Sequence, residues 1–125
     1  MKRILVVDDD KEASTAIAQC LEHLGHAAIC CGHAQEALAL LSTQEFSLLL
    51  VDYRMPDMTG LDLIAMLRQE NCQIPALMMT GHFATADRVP LEKLGISGIL
   101  RKPMTLPQLA RALEDLSMAA GSGLD

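Results

Sequence analysis

The chain has 125 residues, half of them hydrophobic, with a formal net charge of −6. That length makes one domain with enough apolar material for a real core. The acidic balance argues against nucleic acid as a direct partner and suits a metal cation or basic partner surfaces instead.

Ile4-Leu5-Val6-Val7 is a short β-branched run that stops at Asp8-Asp9-Asp10. From Lys11 the period becomes helical, with Ala13, Ile17, Cys20, Leu21 and Leu24 at spacings of three and four, and Gly25 closes the helix. Ala27 to Cys31 reads as a second strand and Ala34 to Leu41 as a second helix. Phe46 to Asp52 follows, an apolar run ending on a carboxylate, as expected for a strand buried on both faces of a parallel sheet. Gly60 to Arg68 is a third helix with Leu63, Ile64 and Leu67 facing inward. Pro75 to Thr80 is a fourth strand ending at Thr80-Gly81. Pro90 interrupts the next helical stretch, Ala84 to Leu94, so a short or broken helix is expected, restarting at Pro90 and ended by Gly95. Ile96 to Arg101 is a fifth strand, followed by Lys102-Pro103. Thr105 is the N-cap of a last helix with Leu106, Leu109, Leu113 and Leu116 as its apolar stripe. Residues 1–118 make the domain, and 119–125 are expected as a tail or the start of a linker.

Strands alternating with helices predict a three-layer, doubly wound (βα)5 α/β fold. The parallel sheet is expected in the flavodoxin-like order 2-1-3-4-5 with right-handed crossovers. The core must be aliphatic, because the only aromatic residues are Phe46, Tyr53 and Phe83. Cys20, Cys30, Cys31 and Cys72 match no zinc or redox spacing, and they read as buried small hydrophobes in a reducing compartment. Cys30 and Cys31 would point to opposite faces of a strand. No apolar stretch approaches the roughly 18 residues of a membrane span, and Met1-Lys2-Arg3 leads into strand-like sequence rather than a signal peptide. A cytoplasmic protein is expected.

All strands of a parallel sheet end at one edge, so Asp8, Asp9, Asp52, Thr80 and Lys102 share a rim. The first and third strands are neighbours at the switch point, which places Asp9 beside Asp52. Clustered carboxylates repel and raise a pKa; a divalent cation relieves this, and Mg²⁺ is typically held by one or two carboxylates, waters and phosphate oxygens. A site of acids, metal, ammonium and hydroxyl suits a phosphoryl group, with a carboxylate as nucleophile giving an aspartyl phosphate.

Val6-Val7-Asp8-Asp9-Asp10, Val51-Asp52-Tyr53-Arg54-Met55-Pro56-Asp57-Met58-Thr59-Gly60, Met79-Thr80-Gly81-His82 and Lys102-Pro103 occur together, in this order. On these pieces the chain resembles the receiver domain of two-component response regulators, over roughly residues 3–118. The resemblance implies that Asp52 is the phosphoacceptor, charged by a histidine kinase or phosphotransfer protein of a phosphorelay. It implies that Asp9 binds Mg²⁺ directly, Asp8 through water, and that Asp52 and the main-chain carbonyl of Arg54 complete the protein ligands. Thr80 and Lys102 would bind phosphoryl oxygens, and Lys102-Pro103 corresponds to a cis peptide. Such a domain is a signalling module, not an enzyme on a separate substrate; it catalyses only its own phosphotransfer and autodephosphorylation. Its output would be a downstream effector domain or protein at the face formed by the fourth helix, fifth strand and fifth helix, with a homodimer possible on phosphorylation and no membrane partner. Ile99 departs from the family's usual aromatic switch residue, and the fifth strand lacks the acidic pattern of regulators that dimerise through that face.

Asp10 reads as a helix-start residue, Asp57 as shaping the turn after Pro56, and His82 as an exposed loop residue. His23, His26 and His33 read as surface residues, and the eight methionines as core filler. A degenerate, phosphorylation-independent interaction module is the alternative, kept open by Ile99. A phosphatase of the haloacid dehalogenase type would need an acid where Arg54 stands, and a nucleotide or flavin binder would need a phosphate loop where three acids stand.

Overall fold

The computed structural model describes residues 2–81 and 91–124, excepting the side chains of 91, 92 and 117–124. The expected strands and helices alternate in order: β1 (Arg3–Val7), α1 (Lys11–His23), β2 (Ala27–Cys31), α2 (Ala34–Thr43), β3 (Leu48–Asp52), α3 (Gly60–Gln69), β4 (Ala76–Thr80), α4 (Leu91–Leu94), β5 (Ile96–Arg101) and α5 (Leu106–Leu124). The five strands form one parallel sheet in the order β2-β1-β3-β4-β5. This is the flavodoxin-like topology expected from the sequence.

Every residue of β3 and β4 is buried, which accounts for their unbroken apolar runs. Side chains alternate across the sheet. Leu5, Val7, Leu49, Val51 and Met78 pack on one face against Ala34, Ala37, Leu63, Ile64 and Leu67 of α2 and α3. Ile4, Val6, Leu48, Leu50, Leu77 and Met79 pack on the other against Ile17 and Leu21 of α1 and Leu109 and Leu113 of α5. Each fully buried leucine contributes about 2 kcal/mol of transfer free energy, so these two aliphatic layers hold the helices on the sheet.

The helix ends follow local chemistry. Asp10 caps α1 by accepting from the N–H groups of Glu12 and Ala13. Gly25, at φ +92°, terminates it in the left-handed region. Thr59 and Asp62 form a capping box on α3. Thr105 and Gln108 exchange the same pair of bonds at the start of α5. Residues 119–124, expected as a tail, continue α5, in keeping with the strong helix formers Met118, Ala119 and Ala120. The expected helix over Ala84 to Leu94 is described only at α4, ended by Gly95 at φ +67°; Pro90 and His82 lie outside the described residues.

Four local readings change. Of the cysteines only Cys31 is buried; Cys20 on α1 and Cys72 after α3 are partly covered, and Cys30 on the edge strand β2 is exposed. Met66 is also exposed, on the outer side of α3. His26 is partly buried, and its Nδ1 accepts from the Lys2 N–H at 3.0 Å. Asp57 does more than shape a turn: its carboxylate reaches α2.

Candidate functional site

The carboxyl ends of β1 and β3 lie side by side, with Val7 paired to Val51. The next residue on each chain is an acid, and Asp9 follows Asp8. Carboxylate oxygens of Asp8, Asp9 and Asp52 lie within 4.8 Å of one another. Asp8 and Asp52 are buried, while Asp9 is exposed at the mouth. Main-chain bonds fix the frame: Asp8 N–H to Cys31 O at 3.0 Å, Tyr53 N–H to Met79 O at 2.8 Å, and Lys102 N–H to Thr80 O at 2.8 Å.

Lys102 enters this cluster from the end of β5, with a cis bond to Pro103. Its Nζ is 2.7 Å from Asp8 Oδ2 and 3.6 Å from Asp52 Oδ2. The other Asp8 oxygen accepts from the Asp10 N–H at 3.0 Å, so both are occupied and the side chain is fixed. Burial pulls the Lys102 pKa down, but its bond to Asp8 and the charges of Asp52, Asp8 and Asp10 outweigh that, and the net shift is upward. Lys102 is therefore an ammonium at neutral pH.

Asp52 behaves differently. Burial raises its pKa; Lys102 opposes the shift, Asp8 and Asp9 add to it, and the carboxyl is pushed up to about 6. The cost of the ionised form marks a place for positive charge. An octahedral Mg²⁺ with ligands near 2.1 Å has ligand–ligand edges of about 3 Å and diagonals of about 4.2 Å. Three carboxylate oxygens within 4.8 Å of one another are close enough to converge on such an ion.

Thr80 ends β4, buried, one residue beyond Met79, which pairs with Asp52. Arg54 stands in the loop between β3 and α3, two residues after Asp52, with an exposed side chain. The sequence-predicted residues thus lie at one rim, with Asp8, Asp9 and Asp52 within reach of one another and Lys102 beside Asp8 and Asp52. Gly60 permits the approach of α3: a Cβ there would stand 2.6 Å from the Asp52 carbonyl oxygen and 3.2 Å from Val51 Cγ2. Its N–H donates to Tyr53 O at 2.8 Å, closing the loop.

Two further residues escaped the sequence reading. Asp57 accepts from the Ala34 and Gln35 N–H groups, each at 3.4 Å. Arg68 donates to the carbonyls of Leu94 (2.6 Å), Cys72 (2.8 Å) and Gly95 (3.4 Å), tying α3 to the end of α4. The poor helix-capping residue His33 was the available signal for the first; the second had none beyond a cation in the last turn of α3.

Comparison with known proteins agrees with this geometry. The family model described as response regulator receiver domain matches residues 4–114. The transcriptional regulatory protein PmrA of Pectobacterium parmentieri is 36% identical over 107 residues, covering 86% of this chain and 48% of its own length. The transcriptional regulatory protein CpxR of Escherichia coli K12 is 38% identical over 103 residues, covering 82% and 44%. The chain thus spans about half the length of these curated relatives. Among solved structures, the chemotaxis response regulator CheY4 of Vibrio cholerae superposes with a TM-score of 0.84 at 26% identity, covering 92% of this chain and 98% of that one. A CheY-like receiver domain protein from Methanospirillum hungatei gives 0.83 at 29%, covering 92% of both. Among the described residues no helix is long and apolar enough to cross a membrane.

Proposed function

The chain belongs to the response regulator receiver family of two-component signalling, and from that premise we propose that it accepts a phosphoryl group on Asp52 from a histidine kinase or phosphotransfer protein. The observation that carries this reading is the convergence of Asp8, Asp9 and Lys102 on a buried Asp52 whose pKa of about 6 still leaves it mainly ionised at neutral pH.

In this reading Asp8, Asp9, Asp52 and the Arg54 carbonyl would hold Mg²⁺, Asp8 through water. Bound there, the ion supplies positive charge that lowers the Asp52 pKa and offsets charge on the phosphoryl oxygens. An Asp52 Oδ attacks phosphorus in line. The bond from phosphorus to the donor imidazole nitrogen breaks, that nitrogen keeps the electron pair, and an acyl phosphate remains on Asp52. Lys102 moves from its pair with Asp8 toward a phosphoryl oxygen, and the Thr80 hydroxyl donates to another. Hydrolysis of the acyl phosphate, the domain's own autodephosphorylation, resets it.

The signal would leave through α4, β5 and α5 to an effector domain or protein. A groove between β5 and α5, lined by Leu100, Met104, Gln108 and Leu116 together with Arg101, Arg111 and Asp115, supports that assignment. Dimerisation on phosphorylation and a cytoplasmic location belong to the same proposal.

The test is the intact mass after incubation with Mg²⁺ and acetyl phosphate, for the native chain and for Asp52→Asn. One added phosphoryl group in the native chain alone supports the proposal. Failure to gain mass, with no Mg²⁺ binding by calorimetry, would favour the phosphorylation-independent module.

A further inference from the structure

Helix α2 begins without a cap of its own. His33 takes the extended N-cap conformation, φ −139° and ψ 151°, but its side chain makes no capping bond. The first N–H groups of a helix need acceptors. Here they come from 22 and 23 residues away: Asp57 Oδ1 accepts from Ala34 N–H and Oδ2 from Gln35 N–H, both at 3.4 Å. Desolvation pushes the Asp57 carboxyl up, but the Ala34, Asp57 and Gln35 N–H groups and the nearby His33 outweigh it, and the pKa is lowered. The carboxylate form is the one the helix end favours.

The two loops joined in this way flank the acid cluster. On one side is the turn between β2 and α2. There a Cβ on Gly32 would lie 3.8 Å from Asp9 Cα and 3.9 Å from Asp8 O, and Cys31 O accepts from the Asp8 N–H. On the other is the loop from Tyr53 to Thr59. Its ends are fixed by Tyr53 N–H to Met79 O, by Gly60 N–H to Tyr53 O and by the Thr59–Asp62 capping box. Among the described residues, Asp57 supplies the hydrogen bonds that tie the middle of this loop to another element. Arg54 lies in that middle, three residues before it.

We infer that Asp57 is a positioning residue for the metal site: by gripping the start of α2 with both oxygens it holds the loop so that the Arg54 carbonyl faces the cation. This rests on the Mg²⁺ reading above. A residue that only capped α2 would stabilise the helix and leave metal affinity alone, so the two roles separate experimentally.

Three chains are compared: native, Asp57→Ala, and Asp57→Ala combined with His33→Ser. Serine at the N-cap restores a local acceptor for α2 without restoring the link to the loop. Mg²⁺ affinity is measured by calorimetry and by the fluorescence of Tyr53, the only tyrosine in a chain without tryptophan. The temperature is low enough that circular dichroism reports all three as folded. The expected result is Mg²⁺ binding weakened about tenfold in both variants, as for loss of an outer-sphere partner, whether or not serine recovers the thermal stability. An affinity in the double variant within about twofold of native, far below that outer-sphere loss, would reduce Asp57 to a helix cap and overturn the inference. Absence of Mg²⁺ binding by the native chain would instead overturn the metal reading, and the inference with it.

Discussion

Replacing Asp52 by asparagine is expected to stabilise the metal-free domain. The folded carboxyl has a pKa of about 6, against an ordinary value of 3.8. Because the folded value is raised, the folded chain holds the proton more tightly than the unfolded chain does. Stability associated with that proton is therefore fully present below pH 3.8 and is lost as pH rises through 6. Above pH 6 the native chain carries the full cost of an ionised Asp52, which at 1.36 kcal/mol per unit is about 3 kcal/mol at pH 7.5. Asparagine has no such cost and keeps the size of the side chain. With an unfolding entropy of roughly 0.25 kcal/mol/K for a domain of this length, the melting temperature should rise by roughly 8–12 °C at pH 7.5 in chelator. At pH 4 the same linkage leaves about 0.6 kcal/mol, a rise of roughly 2 °C. Differential scanning calorimetry of both chains across pH 4 to 8 measures this directly. A variant no more stable than native at pH 7.5, or a gain independent of pH, would refute the electrostatic account of the site.

Three other substitutions probe the same frame. Lys102→Met leaves buried Asp8 without its 2.7 Å partner, so calorimetry in chelator should find a loss of about 2 kcal/mol while Mg²⁺ binds more tightly; weaker Mg²⁺ binding would contradict the pairing. Gly60→Ala forces a Cβ to within 2.6 Å of the Asp52 carbonyl, and urea titration should show a loss of about 1–3 kcal/mol from the shift of α3. Arg68→Met removes the donors to Leu94, Cys72 and Gly95. A stability loss of about 2 kcal/mol is expected there, with faster amide exchange at the start of β5 than in β1.

The parts of this molecule written in local patterns were legible. The buried strands announce themselves as runs such as Leu48-Leu49-Leu50-Val51, and the rim follows because a parallel sheet ends all its strands at one edge. That places Asp8, Asp9, Asp52 and Lys102 together before any coordinate is known. What the pattern cannot carry is a polar side chain whose partner lies far along the chain. Asp57 in a Pro-Asp turn satisfies every local rule for a turn residue, yet its carboxylate serves a helix more than twenty residues away. Arg68 ends α3 as a solvated cation would, but finds the carbonyls of Leu94 at the end of α4 and of Gly95 just after it. Cys31 packs in the α2–α3 layer while Cys30, on the other face of the edge strand, stays exposed although its Sγ reaches the Ser14 carbonyl of α1. Ile99 is partly buried and packs with the α2–α3 layer, opposite Met78 in the sheet register, so an aliphatic side chain occupies the place expected to switch.

The electrostatics of the rim connect stability to function. Among the described residues, three carboxylates converge and one ammonium answers them, and that ammonium is nearest to Asp8. Burial raises the Asp52 pKa, Asp8 and Asp9 add to the rise, and Lys102 only partly opposes it. The proposed nucleophile is the carboxylate form, and a pKa of about 6 leaves Asp52 mainly ionised at neutral pH even before a cation lowers it. The same burial that costs the metal-free fold stability thus marks a place for a cation beside the oxygen that is proposed to attack. It also sets the response to ligands: any cation that enters the cluster removes a cost the metal-free fold carries, so binding stabilises the domain by an amount that grows with the logarithm of cation concentration above the dissociation constant. Asparagine at position 52 would gain that stability permanently and, under the proposed function, forfeit the phosphoacceptor.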